Sequence, residues 1–489
     1  MNRRISQLLD HALKHGMTGE EDIDYSANQV LFLLQEESFE RLDVPEAQLE
    51  EFLSGLAAFA VRKGIIRDTG KQREMFRTAL MNCVMPRPSE VTRTFFSLYE
   101  EDPEKATDWF YGLAQASDYI CRSKTDGYIR FTQPSPYGDL QITINTVKPE
   151  KDPEDILRPQ KRIRAAYPKC PLCRENTGFA GTCRQTLRII PLQLNGRSYD
   201  LQYSPYAYFN EHCIVLNHEH VPMKTGRETV ENLTAFADLF PHYMIGSNAG
   251  LPVIGGSILS HDHYQGGRHH FPIEDASVLY SCTVRGFENV QTDILHWPLS
   301  AIRLTCADRE EVIALAALIM ERWGSYDDEG LGILSHTGST PHNGVTPVVR
   351  RKQGQYQIDL ILRNNRTDGQ YPLGIFHPHP EHHHIKKENI GLIEAMGMAV
   401  LPGRLKQELA DIRDCLLGIK HIEEIPSLAK HMSWFAYLKT LQYDAQGIQT
   451  MLERETAKKF AAVLEDAGVF KTGEAGTAGF MRFMDSLNR

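Results

Sequence analysis

The chain has no apolar run approaching the ~20 residues needed to cross a membrane. Its opening stretch, MNRRISQLLDHALKHG, lacks the apolar region and small-residue cleavage site of a signal peptide. There Ile5, Leu8, Leu9, Ala12 and Leu13 instead mark one face of a short helix. A basic excess is missing as well: 53 Lys+Arg against 63 Asp+Glu leave a net charge of −10. That excludes a general nucleic-acid binder, which needs a broad basic face. Nine cysteines are an odd number scattered over 489 residues, which argues for reduced thiols and a cytoplasmic location. No cofactor motif is found in the first ~120 residues, and no organic cofactor is expected. Histidine, too, is absent from a long stretch. None falls between His15 and His212, and then sixteen of the twenty fall between His212 and His384. Imidazole chemistry is expected within that window.

The N-terminal region reads as helical. Ser26–Gln29 fits a capping box ahead of VLFLLQ, residues 46–63 carry an apolar face ending at Gly64, and MPRPSE (85–90) starts a further helix. From Tyr128 the pattern turns to strands. LQITINTVK (140–148) alternates, and KPEKDPEDILRPQK (148–161) is a charged, proline-bearing linker. LRIIPLQL-NG-RSYDLQY (187–203) signals a hairpin, because Asn-Gly suits a type I′ turn. HCIVLN (212–217) is a strand, TVENLTAFADLF (229–240) a helix, and LPVIGGSILSHDHYQ (251–265) a buried strand entering the histidine stretch. A second set follows: the AIRLT strand (301–305), the ADREEVIALAALIMERW helix, and a 346–365 hairpin turning near Gly354. RLKQELADIRDCLLGI and IQTMLERETAKKFAAVLEDAG end the chain as helices.

IGGSILSHDHYQGGRHHF (254–271) gathers four histidines and four glycines. On a strand, His261, His263 and Gln265 share one face. Gly255-Gly256 and Gly266-Gly267 permit close backbone approach, which suits a phosphate lying across the strand end. Backbone N–H groups and an amide would hold its oxygens while an imidazole attacks phosphorus.

LPVIGGSILSHDHYQGG (251–267) closely resembles the signature of the class II bacterial galactose-1-phosphate uridylyltransferases, of the histidine-triad superfamily. The resemblance extends over nearly the whole chain, including RNNRTD (363–368) and HHHIKKENIGLIEAMGMAVLPGRL (382–405). It implies an enzyme with ping-pong transfer of UMP. His263 would attack the α-phosphorus of UDP-glucose, and the uridylyl-histidine would then be captured by galactose 1-phosphate. Gln265, where hydrolytic relatives carry a third histidine, would bind a phosphoryl oxygen without activating water. Asn248 and Ser257 resemble positions that hold the phosphates, or are simply turn caps.

Cys170 and Cys173 in CPLC have zinc-ligand spacing. The resemblance implies a structural zinc completed by His220 and His261, with His218 competing for the first of these. A second metal, seen in the better-known branch, is put in doubt by Asp359, which stands where a histidine would be expected, although His336 lies nearby. FHPHPEHHH (376–384) carries His377, His379, His382, His383 and His384 and imitates a catalytic H-P-H. Its prolines spoil a central strand, so it reads as a loop near the active site or a surface cluster. Lys386-Lys387 would either meet the sugar phosphate or solvate a helix start.

The fold expected is α+β: two histidine-triad-like antiparallel sheet units with packed helices, plus helical additions at both ends. The expected boundaries are 1–125 helical, 126–285 the first unit with the catalytic motif, 286–430 the second unit, and 431–489 C-terminal helices. A homodimer is implied by the resemblance; nucleic-acid and membrane partners are not expected. The competing readings are a phosphorylase or hydrolase of the same superfamily, and a nucleotide-sugar-binding regulator without catalysis.

Overall fold

The computed structural model describes residues 1–146, 167–256 and 258–489, so the 148–161 linker and Ser257 lie outside the described residues. The protein is α+β, and its contacts divide it into two compact units.

The first unit comprises residues 1–126, 162–207 and 211–221. Its opening helix, Asn2–Lys14, buries Ile5, Leu8, Leu9 and Ala12 completely. The next helix runs Ile23–Leu34, so Ser26 is buried inside it and does not cap it. The capping-box reading placed the start one turn late because Ile23 and Asp24 already fit the helix. The third helix runs Leu49–Arg62, and Gly64, at φ +79°, lets the chain turn away. Pro88 and Pro103 each open a helix at the first position, where no N–H is needed. Those two helices meet through an edge-to-face pair, Phe95 and Phe110, with ring centroids 5.9 Å apart.

The unit's sheet is a meander of Ile190–Leu194, Arg197–Tyr203 and Cys213–Asn217. Asn195 (φ 49°) and Gly196 (φ 74°) make the two-residue turn with both φ positive, as type I′ requires. Arg188 ties this sheet to the helices by donating from Nε to the Pro86 carbonyl and from Nη2 to Asn82 Oδ1.

The second unit comprises residues 127–161, 208–210 and 222–489. Its main sheet runs, in spatial order, His263–Gly267, Met244–Gly246, Asn343–Lys352, Gln355–Asn364, Ala301–Cys306, Gln291–Leu295 and Val278–Cys282. Each strand is antiparallel to the next. The long hairpin turns at Gln353-Gly354, both at positive φ. Helices Arg227–Leu239 and Arg309–Gly324 pack on the hairpin. A second, three-stranded sheet pairs Ile129–Ser135 antiparallel and Met398–Pro402 parallel to Gly138–Asn145. The core joins Leu140, Ile142 and Ile144 of this sheet to Val348, Ile361 and Ala301 of the main one and to Phe460 and Leu464 of the Ile448–Ala467 helix. Each such side chain contributes roughly 1.5–3 kcal/mol on burial.

The stretch before the motif departs from the strand expected there. Residues 251–256 and 258–262 form turns, bends and one isolated bridge between Leu251 and Ile254, and the strand begins only at His263. Pro252 cannot donate to a ladder, Val253 sits at φ +69°, and Gly255 at φ +136° reverses the chain.

Candidate active site and metal centre

The main sheet sets the motif's geometry. Gly246 pairs with Gln265, and Met244 with Gly267. Gly266 is required here: a Cβ would stand 2.5 Å from the Met244 carbonyl oxygen. His263 and Gln265 lie two apart on one strand and so share a face, as expected. His261 lies outside the strand, and the alternate-face reading does not extend to it.

His261 supplies its backbone instead. Nδ1 of His263 donates to the His261 carbonyl oxygen at 2.7 Å. In the neutral ring that fixes the tautomer and leaves Nε2 with its lone pair. Burial pushes the His263 pKa down to about 4. The intervening Tyr264 points to the opposite face, where its hydroxyl accepts from Asn232 Nδ2 at 3.0 Å. Nothing in the local pattern pointed to that partner.

Asn248 is held by a short helix, Leu392–Ala395, 144 residues away: its Oδ1 accepts from the Leu392 N–H at 3.0 Å. The approach is possible because Gly246 has no side chain; a Cβ there would stand 2.8 Å from Leu392 Cδ1. With Oδ1 taken, Nδ2 is the group left to donate to a ligand. The first glycine pair packs on this amide, since a Cβ on Gly256 would stand 2.8 Å from Nδ2.

The CPLC turn is built as a metal knuckle. The two sulfurs lie 3.4 Å apart, Cys173 N donates to the Cys170 carbonyl, and Leu172 N donates to Cys170 Sγ at 3.4 Å. Asn176 Nδ2 clamps both cysteine carbonyls. His220 Nδ1 lies 3.2 Å from Cys173 Sγ, whereas His218 is engaged by Asp200 and Arg174, which decides between the two histidines. Among the described residues, Cys170, Cys173, His220 and His261 form a group able to hold a metal ion, with one ligand atom each and all of these within 4.8 Å of one another. Two thiols and two imidazoles are a tetrahedral zinc set, in which metal bonds of about 2.0–2.3 Å put donors roughly 3.3–3.8 Å apart.

Other candidates have different roles. Asp359 is fully buried and paired with Arg303 Nε at 2.7 Å and Arg350 Nη2 at 2.5 Å, so it is a structural anion. His336 is exposed on a two-residue strand. Lys386 does not meet a sugar phosphate: it is buried, with Nζ 2.8 Å from Glu394 Oε1 and 3.3 Å from Glu388 Oε2. The FHPHPEHHH segment forms no strand beyond a single 3₁₀ turn at Pro380–His382, and its His377 and His384 are buried, so it is no simple surface cluster.

Both halves of the chain match one family of nucleotidyl-transferring enzymes. Residues 16–222 match the N-terminal domain of galactose-1-phosphate uridyl transferase, and residues 236–434 match its C-terminal domain. A galactose-1-phosphate uridylyltransferase of Clostridium acetobutylicum is 48% identical over the whole of both chains. One of Caldanaerobacter subterraneus subsp. tengcongensis is 45% identical over 99% of this chain and 97% of its own. One of Clostridium perfringens is 43% identical over 100% and 99%. No solved structure matches. The chain belongs to the galactose-1-phosphate uridyl transferase family and is a transferase.

Proposed function

We propose that the protein transfers UMP from UDP-glucose to galactose 1-phosphate, giving glucose 1-phosphate and UDP-galactose, through a uridylyl intermediate on Nε2 of His263. The observation that carries the histidine's role is the 2.7 Å hydrogen bond from Nδ1 to the His261 carbonyl, which leaves Nε2 as the nucleophilic nitrogen.

In the first half-reaction Nε2 bonds to the α-phosphorus while the bond from that phosphorus to the oxygen of glucose 1-phosphate breaks. The leaving oxygen takes the electron pair; as part of a phosphate with second pKa ~6, it departs without strong acid help. The ring is now a substituted imidazolium, and its Nδ1–H remains on the His261 carbonyl. In the second half-reaction a phosphate oxygen of galactose 1-phosphate bonds to the same phosphorus, and the P–N pair returns to Nε2. Gln265, on the same strand face, donates its amide to a non-bridging oxygen and offers water no base. Asn248 Nδ2 does the same from the neighbouring strand's extension, and Ser257 is proposed as a further phosphate contact.

The metal proposed for Cys170, Cys173, His220 and His261 is zinc, and bound there it supplies a structural clamp. His261 would then serve twice, its ring as a ligand and its carbonyl as the acceptor that orients His263. We further propose a cytoplasmic homodimer with histidine-triad-like units at 126–285 and 286–430, flanked by helical 1–125 and 431–489.

The test is isotope exchange. With galactose 1-phosphate omitted, labelled glucose 1-phosphate should appear in UDP-glucose. An enzyme needing both substrates bound together, or a binding protein without catalysis, would show no exchange.

A further inference from the structure

His384 ends the histidine run that the transfer chemistry leaves unused, and it lies buried in the second unit. Its Nδ1 stands 2.8 Å from Nδ1 of His431, and His431 Nε2 stands 3.0 Å from Glu408 Oε2. Burial resists ionisation of Glu408, but hydrogen bonds from His431 and Lys430 and the charge of Arg404 hold its carboxyl down to about 2. Glu408 therefore accepts, and His431 Nε2 donates. With both rings neutral, His431 Nδ1 is then a bare acceptor for the N–H on His384 Nδ1, which leaves His384 Nε2 bare in turn.

His384 lines a cavity of about 710 Å³ together with Trp434, Tyr437, Lys430, Lys458 and Lys459. Some of its charged walls are already satisfied: Lys458 lies 2.7 Å from Glu455, and Lys430 lies 2.6 Å from Glu408. Others are not. The Trp434 indole N–H is buried with no hydrogen-bond partner. Half-buried Lys459 has no ion-pair partner among the described residues, and its charge acts on His384. The wall thus offers a cation without an acceptor, beside one ring nitrogen without a donor.

We propose that this cavity is a second ligand site, separate from the His263 motif, for a small phosphate monoester. Its anionic oxygens accept from Lys459 Nζ. Its remaining acidic proton, or a hydroxyl of the esterified alcohol, donates to His384 Nε2. Tyr437 and the Trp434 ring supply the apolar wall against which the alcohol's carbon skeleton packs.

The test is calorimetric titration of the full-length protein with glycerol 3-phosphate. Wild type and His263→Gly should each bind one equivalent. Lys459→Ala should weaken binding on the order of tenfold or more, because a charge-assisted hydrogen bond is lost. Uridylyl transfer by Lys459→Ala should be unchanged. Absence of binding in wild type overturns the proposal. So does binding unaltered by Lys459→Ala, or binding lost only in His263→Gly, since either puts the ligand elsewhere.

Discussion

Nδ1 of His263 lies 2.7 Å from the carbonyl oxygen of His261, so the residue that offers its ring to the metal group also fixes, through its backbone, the tautomer of its neighbour. On the roles proposed above, this coupling makes the metal group and the nucleophile separable only in part. Damage to the first should disturb the second through orientation while leaving its chemistry intact.

Zinc is the metal proposed for the Cys170, Cys173, His220 and His261 group. Elemental analysis of the purified protein should find about one zinc per chain. Cys173→Ala should lose it, lower the melting temperature, and reduce transfer without abolishing it. A stable, fully active protein free of metal would remove this assignment.

The role proposed for Gln265 is to favour transfer over hydrolysis. Gln265→Ala should slow both half-reactions by about 10²–10³, the cost of one lost oxyanion donor. Gln265→His keeps a donor and adds a base, so the ratio of UMP released to UDP-galactose formed should rise. An unchanged ratio, with alanine fully active, would mean the amide does not face the phosphate.

Stability should depend on acid through Glu408. Its carboxyl is held at about 2, below the ordinary 4.5, although burial alone would raise it. A depressed pKa contributes stability that is full above pH 4.5 and is lost as pH falls toward 2. Glu408→Gln should therefore be less stable than wild type at pH 7, by about 2 kcal/mol for weakening hydrogen bonds to a charged group. Urea melts should show that difference shrinking between pH 4.5 and 2. A difference constant across that range would show that the charge of Glu408 is not what stabilises the fold.

Local chemistry was legible in the sequence and distant packing was not. Asn195-Gly196 announces its hairpin because positive φ at both turn residues suits few other pairs, and Gly354 marks the turn of the second. The CPLC knuckle reads for a similar reason, since its ligands stand three apart. The stretch before His263 misleads: its apolar residues look like a strand, but Pro252 and the φ of Gly255 turn it into a loop. Leu392 docking over Gly246 to hold Asn248, the burial of Lys386 between two glutamates, and the Glu408–His431–His384 chain join segments far apart in sequence. No local periodicity encodes such pairings.

The central claim is the covalent intermediate on His263. The direct measurement is to incubate the protein with UDP-glucose labelled in its uracil ring, denature it, digest it, and locate the label by mass spectrometry. One UMP should be found on the peptide carrying His263, and it should disappear on adding galactose 1-phosphate. His263→Gly should stay unlabelled and lose turnover by a factor on the order of 10⁴–10⁶, the scale of losing a nucleophile. Label on another residue, label retained in His263→Gly, or wild-type turnover with no label at all would contradict the account.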